Sequence, residues 1–337
     1  MAALVTGASG LLGHAVAHRL AAQGEVVRVL IRKAEQSVLF RNTAIQCVVG
    51  ALENIESLVP AVDGVSEIYH CAATSTDWAP WETYYSGNVT GVRNLLEAAS
   101  REKSLQRFLH VSTMDVYGYP KSSDDDENLL LVDAGLPYNQ TKIAGEQLVW
   151  EASARGMPVT VVRPGTIYGP RDKNFVGMIY DHLKGGDMPL VSGGESSPGL
   201  IYITNLVDGM IAAACSAKTI GKAYNMRDET SESWRDYLNA FADIAGINRT
   251  RLVMPFPLAY GFAWACEKFN LVRRSAQRPL LTRHAVLLFS RDAAFPIDRA
   301  INDFGFRSTV SFDEGVSNSV AWVQREQNSS AVTPATA

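Results

Sequence analysis

Two patterns of apolar and polar residues alternate along the first half of the chain. Short apolar runs of strand length are followed by longer segments in which apolar residues recur every three or four positions. This order predicts a parallel sheet with crossover helices on both of its faces. The predicted strands are 2–5, 26–31, 45–49, 67–71, 107–112 and 159–163, and the predicted helices are 11–23, 82–101 and 138–155.

The second half of the chain has a less regular pattern. Shorter helices are predicted at 205–216 and 233–245, between clusters of turn residues. The expected fold class is therefore α/β: a doubly wound parallel Rossmann sheet with a smaller C-terminal substrate-binding lobe. The predicted division is 1–170 for the nucleotide-binding domain, with return segments near 200–230, then 171–325 mainly for the lobe and 328–337 for a flexible tail.

The composition narrows the class of protein. Of 337 residues, 47% are apolar and 20% are charged, with a net charge of −4, so we expect a globular protein that does not bind nucleic acid. The four cysteines are far apart, which predicts reduced thiols and no metal site. No signal peptide is evident, and the apolar stretch 252–266 is interrupted by proline and glycine. We therefore predict a cytoplasmic protein without a transmembrane segment.

Two further features are interpreted as structural, with no catalytic or metal-binding role. The acidic run 124–127 is interpreted as a solvated loop. His70 and His110 fall in predicted strands and are interpreted as hydrogen-bonded core residues.

A glycine-rich loop follows the first predicted strand. Gly7, Gly10 and Gly13 have the spacing GxxGxxG and open the first predicted helix. Glycines there allow a tight turn and a close backbone approach, while the helix N-terminus offers free N–H groups to a pyrophosphate. The loop therefore predicts a dinucleotide site, with a chance glycine-rich turn as the alternative.

The residue after the second predicted strand bears on the choice of cofactor. An acidic residue there would hold the ribose 2′-hydroxyl of NAD. This chain instead has Arg32, which follows Gly13 by 19 residues, and then Lys33. Because a guanidinium pairs well with a phosphate, NADP is the predicted cofactor and NAD the alternative. The alternative is that Arg32 and Lys33 are a solvated basic pair that binds no ligand.

Tyr138 and Lys142 form the candidate proton-transfer pair. They are four residues apart, on one face of a predicted helix. A phenol that ionises near pH 10 in water needs a neighbouring positive charge for acid–base work at neutral pH, and Lys142 can supply it. Ser112 and Thr113 end the fifth predicted strand nearby.

These motifs together resemble the extended short-chain dehydrogenase/reductases. The matching segments, in the order typical of that family, are TGASGLLG at 6–13, HCAA at 70–73, NVTGVRNLL at 88–96, VST at 111–113, Tyr138 with Lys142, RPG at 163–165 and YGP at 168–170. The resemblance implies that Tyr138 exchanges the proton, that Lys142 lowers its pKa and holds the nicotinamide ribose, and that Thr113 orients the substrate oxygen. It also implies a homodimer formed through helices 82–101 and 138–155.

Motif and resemblance together assign the remaining site residues. The candidate cofactor contacts are Gly7, Ser9, Gly10, Leu11, Leu12, Gly13, Arg32, Lys33, Leu52, Cys71, Ala72, Ala73, Tyr138, Lys142, Pro164, Gly165 and Ile167. The candidate substrate contacts are Thr74, Trp78, Thr113, Met114 and Thr166.

Departures from the family pattern narrow the substrate. Met114 replaces the acid that sugar-nucleotide dehydratases of the family have, and Thr166 replaces an asparagine common in sugar-nucleotide enzymes. Ala51 replaces an aspartate that would hold adenine, so adenine would rely on backbone groups and packing. The segments 255–264, 279–286, 304–306 and 312–316 are instead similar to the 3β-hydroxysteroid dehydrogenase-like branch, which includes 2-alkyl-3-oxoalkanoate reductases.

That branch implies an NAD(P)-dependent ketoreductase or alcohol dehydrogenase acting on an apolar steroid-like, polyketide-like or 3-oxoacyl compound. The aromatic stretch 255–264 is then either a pair of core helices or a pocket lining. A sugar or nucleotide-sugar epimerase with a tightly held cofactor is the alternative enzyme. A cofactor-sensing protein without chemistry is the third hypothesis.

Overall fold

Parallel strands form the centre of the protein. The computed structural model describes residues 2–120, 123–124, 126–230, 232–273, 275 and 277–332. The strands are β1 (Ala2–Thr6), β2 (Val26–Ile31), β3 (Gln46–Val49), β4 (Glu67–His70), β5 (Arg107–Val111), β6 (Val159–Pro164), β7 (Thr166–Tyr168), β8 (Leu190–Val191), β9 (Leu200–Tyr202), β10 (Lys222–Met226) and β11 (Val253–Met254).

Helices connect these strands. They are α1 (Leu11–Ala22), α2 (Val59–Val62), α3 (Trp81–Tyr85), α4 (Gly91–Ala99), α5 (Pro137–Ala154), α6 (Val176–Gly185), α7 (Ile203–Cys215), α8 (Trp234–Ala245), α9 (Phe256–Val272), α10 (Arg283–Leu288), α11 (Asp298–Phe304) and α12 (Phe312–Val332). The predicted helix 82–101 is divided, because a π-helical turn at Ser86–Thr90 separates α3 from α4.

Seven strands pair in the order β10-β6-β5-β4-β1-β2-β3, and every pairing is parallel. The six strands predicted from the sequence are all present, and the α/β fold class is confirmed. The sequence pattern missed β10, which adds residues 222–226 to the edge beside β6. Because all seven strands run the same way, the loops after their carboxyl ends meet at one edge of the sheet, where ligands bind in such folds.

The remaining elements form a lobe beyond that edge. The short strands β7 and β9 pair with each other, and so do β8 and β11. Helix α8 begins with a capping box in which Ser233 and Asp236 bond each other's backbone N–H. Its apolar face buries Trp234, Tyr237 and Phe241 completely. This aromatic core fixes the lobe against the sheet.

Three expectations need correction. The acidic run 124–127 is not simply a solvated loop, because Glu127 is buried and its carboxylate pairs with Arg299 at 3.3 Å; Asp125 lies outside the described residues. Helix α12 extends to Val332, well into the segment expected to be a tail from residue 328, and residues 333–337 lie outside the described part of the chain. In stretch 255–264, Leu258, Phe262 and Trp264 point to solvent.

Candidate active site

The loop between β1 and α1 has the geometry of a phosphate cradle. Gly7 has a φ of 70°, and a Cβ there would lie 2.7 Å from the backbone of Ala72. A Cβ on Gly13 would lie 2.5 Å from the carbonyl oxygen of Gly7. No side chain caps the start of α1, so its first N–H groups remain free to bind an anion. The glycines therefore fit a dinucleotide pyrophosphate, and no other residue type fits at Gly7 or Gly13 without moving backbone.

The other predicted cofactor residues border the same edge of the sheet. Ala72 follows β4 and donates its N–H to Thr6 at the end of β1, at 3.3 Å. Leu52 is buried, and its carbonyl accepts a bond from Asn94 at 2.8 Å. The loops after successive strands thus bring together the residues predicted to bind the cofactor: Gly7, Ser9, Gly10, Leu11, Leu12, Gly13, Arg32, Lys33, Leu52, Cys71, Ala72, Ala73, Pro164, Gly165 and Ile167.

Arg32 and Lys33 are both exposed immediately after β2. Their backbone N–H groups donate to the Gln36 side chain at 2.9 and 3.1 Å, which fixes the turn. Within the described residues neither basic side chain forms an ion pair. Both are therefore available to an anionic ligand at this edge.

Thr113, Tyr138 and Lys142 come together where β5 and α5 meet. Thr113 follows β5, and its side chain accepts the N–H of Asp115 at 3.2 Å. Tyr138 stands in the first turn of α5, one turn before Lys142. Burial raises the pKa of the Tyr138 phenol, the charge of Asp115 raises it further, and the nearby Thr113 side chain lowers it by less. Tyr138 is therefore protonated at neutral pH in this state.

Lys142 is buried, with 3% of its surface exposed, and its Nζ donates to the carbonyl of Val111 at 2.8 Å. Burial lowers the pKa of its ammonium to about 8, although nearby Glu146 acts in the opposite direction. Burial and the Lys142 charge together lower the pKa of His70 to about 3, so that histidine is neutral. The positive charge of this region therefore resides on Lys142.

The two strand histidines differ in their partners. The His70 Nδ1 shares a hydrogen bond of 2.7 Å with Thr6, as expected for a core histidine. Among the described residues, neither ring nitrogen of His110 has a hydrogen-bond partner, so the expectation of a hydrogen-bonded core residue is wrong there. Burial lowers the pKa of His110, which keeps the ring neutral.

A buried network supports α5 from behind. Glu146, one turn after Lys142, pairs with Arg163 on β6, and both side chains are almost fully enclosed. Arg163 also donates to the Tyr117 hydroxyl at 2.8 Å, which in turn donates to Asn225 at 2.7 Å. The network links α5 to β10, and its bonds from Arg163 to Glu146 and Tyr117 are charge-assisted, which is the stronger kind. It fixes the position of α5 relative to the sheet.

Asn88 is a positioning residue that the sequence analysis did not single out. It lies in the π-helical turn, and its side chain accepts from the N–H of Thr74 at 2.7 Å. It also donates to the Thr74 carbonyl and to the Thr141 hydroxyl, both at 3.1 Å. One amide therefore ties the loop after β4 to the helix that carries Tyr138.

The lobe contributes a second group beside Tyr138. His284 on α10 stacks on the Tyr138 ring with centroids 5.4 Å apart and planes inclined by 21°. Its Nε2 lies 3.1 Å from the Asp115 carboxylate, which also accepts the Tyr119 hydroxyl at 2.7 Å. The sequence offered no signal for this contact, because His284 lies 169 residues from Asp115.

A second contact ties the lobe to the loop after β4. Asp77 pairs with Arg278 at 2.5 Å and accepts the Thr282 hydroxyl at 2.7 Å. Burial raises the pKa of Asp77, but its bonds to Arg278 and Thr282 outweigh burial and lower it overall. Trp78, the next residue in the chain, is half-buried.

The other predicted substrate residues follow strands at the same edge of the sheet. Thr74 and Thr166 are partly exposed, whereas Met114 is 3% exposed and packs with Phe295. Gly165 is required by packing, since a Cβ there would lie 2.0 Å from the Gly199 carbonyl oxygen. Their contact with a substrate, like that of Trp78, stays a prediction.

Replacing His284 tests its contribution to the site. The change His284→Ala removes the stacked ring and one partner of Asp115, so water reaches Tyr138. We expect kcat to fall about 10-fold, with cofactor affinity unchanged, because the cofactor loops are not contacted. His284→Phe, which keeps the ring, should recover most of kcat if stacking dominates. Equal losses of kcat in both variants would assign the effect to the Asp115 bond, and unchanged kcat in both would remove His284 from the site.

Comparison with known proteins agrees with this geometry. The model of the NAD dependent epimerase/dehydratase family matches residues 3–226. The 4-hydroxy-2-methyl-3-oxo-4-farnesyl-3,4-dihydroquinoline-1-oxide ketoreductase of Stigmatella aurantiaca is 30% identical over 319 residues, covering 94% of this chain and 95% of the relative.

Two further similarities extend over the whole chain. The 2-alkyl-3-oxoalkanoate reductase of Stenotrophomonas maltophilia is 28% identical over 326 residues, covering 94% of this chain and 97% of the relative. The crystal structure of gox2253 superposes with a TM-score of 0.78 at 26% identity, covering 96% of this chain and 98% of the other. The chain therefore belongs to the NAD dependent epimerase/dehydratase family and is an oxidoreductase of the extended short-chain dehydrogenase/reductase type.

Proposed function

We propose that the protein is an NADPH-preferring ketoreductase that acts on an apolar 3-oxo compound. The observation that carries the proposal is that Thr113, a half-buried Tyr138 and Lys142 meet at the edge of the sheet where the dinucleotide loop lies. A phenol in its neutral form can donate a proton to a carbonyl oxygen, which is the step that reduction of a ketone needs.

In the proposed reaction the chain supplies orientation and a proton. The bound nicotinamide would supply the hydride to the carbonyl carbon. Thr113 would hold the carbonyl oxygen, and Tyr138 would donate its phenolic proton to that oxygen. Lys142, one turn further along α5, would stabilise the phenolate left behind through its positive charge. The ring of His284 would exclude water from Tyr138.

The apolar character of the substrate is supported by residues near Tyr138 and by the relatives. Trp78 is half-buried in the loop after β4, and Met114, which follows Thr113, offers no carboxyl group for a sugar dehydration. One relative's name places a farnesyl group on its substrate and the other's names a 2-alkyl-3-oxoalkanoate. Both names describe an oxo compound that carries an apolar group.

A substrate panel tests the proposal. Purified protein is mixed with NADPH or NADH and with 2-alkyl-3-oxoacids, cyclic and steroid ketones, and nucleotide sugars, and the absorbance of the reduced cofactor is followed. Saturable oxidation of NADPH by an apolar ketone is expected. Interconversion of sugars with no net NADPH consumption would favour the epimerase, and cofactor binding without any turnover would favour the sensing protein.

The preference for NADP rests on Arg32 and has its own test. Arg32→Ala removes a cation placed where a 2′-phosphate would lie, so we expect NADPH to bind about 10-fold more weakly and NADH to be unaffected. Titration of cofactor fluorescence measures both affinities. Arg41→Ala, an exposed cation further along the chain, is the matched control. If the ratio of the two affinities does not change in Arg32→Ala, the NADP assignment is wrong.

A further inference from the structure

Helix α9 carries a stripe of large apolar side chains on its outer face. Leu258, Phe262, Phe269 and Val272 are 66%, 47%, 56% and 84% exposed, and Ala265 between them is also exposed. At about 100° per residue these five positions fall within a band roughly 80° wide. Contiguous exposed apolar surface of this kind marks an interaction site in a folded protein.

The inner face of the same helix is already packed. Ala259 and Ala263 are fully buried there, and Glu267 is buried with its carboxylate bound to Arg283 at 2.6 Å. Small residues therefore face the protein while large apolar residues face outward, the reverse of an ordinary amphipathic surface helix. The outward stripe adds nothing to the core of this chain.

Cations border the stripe on both sides. Lys268 lies 5.9 Å from the centre of the Trp264 ring, and Arg273 lies 4.6 Å from that of Phe269. No carboxylate in the described part of the chain pairs with either cation. The one acidic residue of α9, Glu267, is neutralised on the inner face. The outer face is thus apolar and positive.

The charge decides which partner fits. A second copy of the chain packed on this face about a two-fold axis would place Lys268 and Arg273 against an equally positive surface, with no acid to offset them. A bilayer that contains anionic lipids offers negative headgroups above an apolar interior, which matches both parts of the face. We propose that α9 lies on the surface of a negatively charged bilayer, with Leu258, Phe262 and Phe269 inserted.

Attachment would be peripheral, since no helix among the described residues is long and apolar enough to cross a membrane. The attached face is close to the active site. Glu267 of α9 binds Arg283, whose neighbour His284 stacks on Tyr138. An apolar ketone dissolved in the bilayer would then enter beside α10, a consequence that rests on the proposed function. Binding to lipid is measured without substrate, so either idea can fail alone.

Flotation with vesicles tests the proposal. The full-length protein is mixed with vesicles of phosphatidylcholine alone or with about one-third phosphatidylglycerol, without cofactor or substrate. We expect at least about 10-fold more protein to float with the anionic vesicles, and less at high salt because ions screen the attraction. Equal flotation with both compositions, or none with either, would overturn the proposal.

Variants locate the contact. The double change Phe262→Ser and Phe269→Ser should abolish flotation, whereas Leu130→Ser, which alters an apolar residue 84% exposed elsewhere, should not. Lys268→Gln with Arg273→Gln should remove the preference for anionic lipid without touching the apolar stripe, and Lys103→Gln is its control. Sedimentation velocity tests whether a second copy of the chain covers this face of α9 instead. A dimer that dissociates in the double serine variant would assign the face to that second copy.

Discussion

Replacing Tyr138 by phenylalanine is expected to lower kcat by about two to four orders of magnitude, the range that a general acid contributes. The change removes one hydroxyl and keeps the ring that packs against His284, so the site should remain folded. Cofactor affinity should be unchanged, since the phosphate loop lies on other elements. Single-turnover absorbance with a ketone identified in the panel, together with a cofactor titration, measures both quantities.

The matched control for this variant is Tyr180→Phe, which removes a hydroxyl from a tyrosine of the lobe helix α6. Its kcat should equal that of the wild type. If Tyr138→Phe also turns over at nearly the normal rate, Tyr138 does not donate the proton and the proposed mechanism fails. If it loses cofactor binding as well, the role of Tyr138 is to hold the cofactor, and the lower rate says nothing about proton transfer.

Replacing Lys142 by methionine is expected to have opposite effects on activity and stability. The positive charge beside Tyr138 disappears, so kcat should fall at least about 100-fold. The apo protein should nevertheless become more stable at neutral pH, because the fold no longer encloses a charged ammonium. The lost bond to the Val111 carbonyl, worth about 1 kcal/mol, offsets part of this gain.

The lowered pKa of Lys142 also predicts how the stability of the wild type, relative to the variant, changes with pH. The pKa of Lys142 is about 8 in the fold against 10.5 in its ordinary state, so between these values the unfolded chain binds the additional proton. Stability of the wild type relative to the variant therefore rises with pH, by about 2 kcal/mol from about pH 7 to about pH 9.5. Urea unfolding at both pH values measures it, with Lys103→Met as the control. The stability advantage of the variant should therefore narrow as the pH rises, and an advantage that widens or stays constant would show that Lys142 is not held at a lowered pKa.

Local sequence was sufficient for six of the seven strands of the sheet and for the residues that follow them. The glycine spacing at Gly7 and Gly13, the pair Tyr138 and Lys142, and alternating apolar runs each reflect a constraint within one βα unit. Residue Asn88 lay within a quoted motif, yet its three hydrogen bonds reach Thr74 and Thr141 and so depend on how two loops and a helix meet.

Contacts across long separations could not be predicted in this way. Asp77 and Arg278 are 201 residues apart, and no periodicity connects them. The acidic run suggested a solvated loop because charge normally favours water, but Glu127 is held inside by Arg299 and by the N–H of Asn225. The apolar stretch in α9 suggested burial, because periodicity marks a face without saying whether the protein itself covers it.

The buried network behind α5 bears on the order in which the nascent chain can complete its structure. Glu127 receives its hydrogen bond from residue 225, 98 positions later, and its ion pair from residue 299. The Tyr117 hydroxyl accepts a hydrogen bond from Arg163 and donates one to the same Asn225. All three catalytic candidates are synthesised by residue 142, but the support of their helix is complete only after most of the lobe has left the ribosome. A fragment that ends before β10 would therefore retain the three candidates and the Glu146–Arg163 pair, but it would lack the contacts of Asn225 and Arg299 that complete the network.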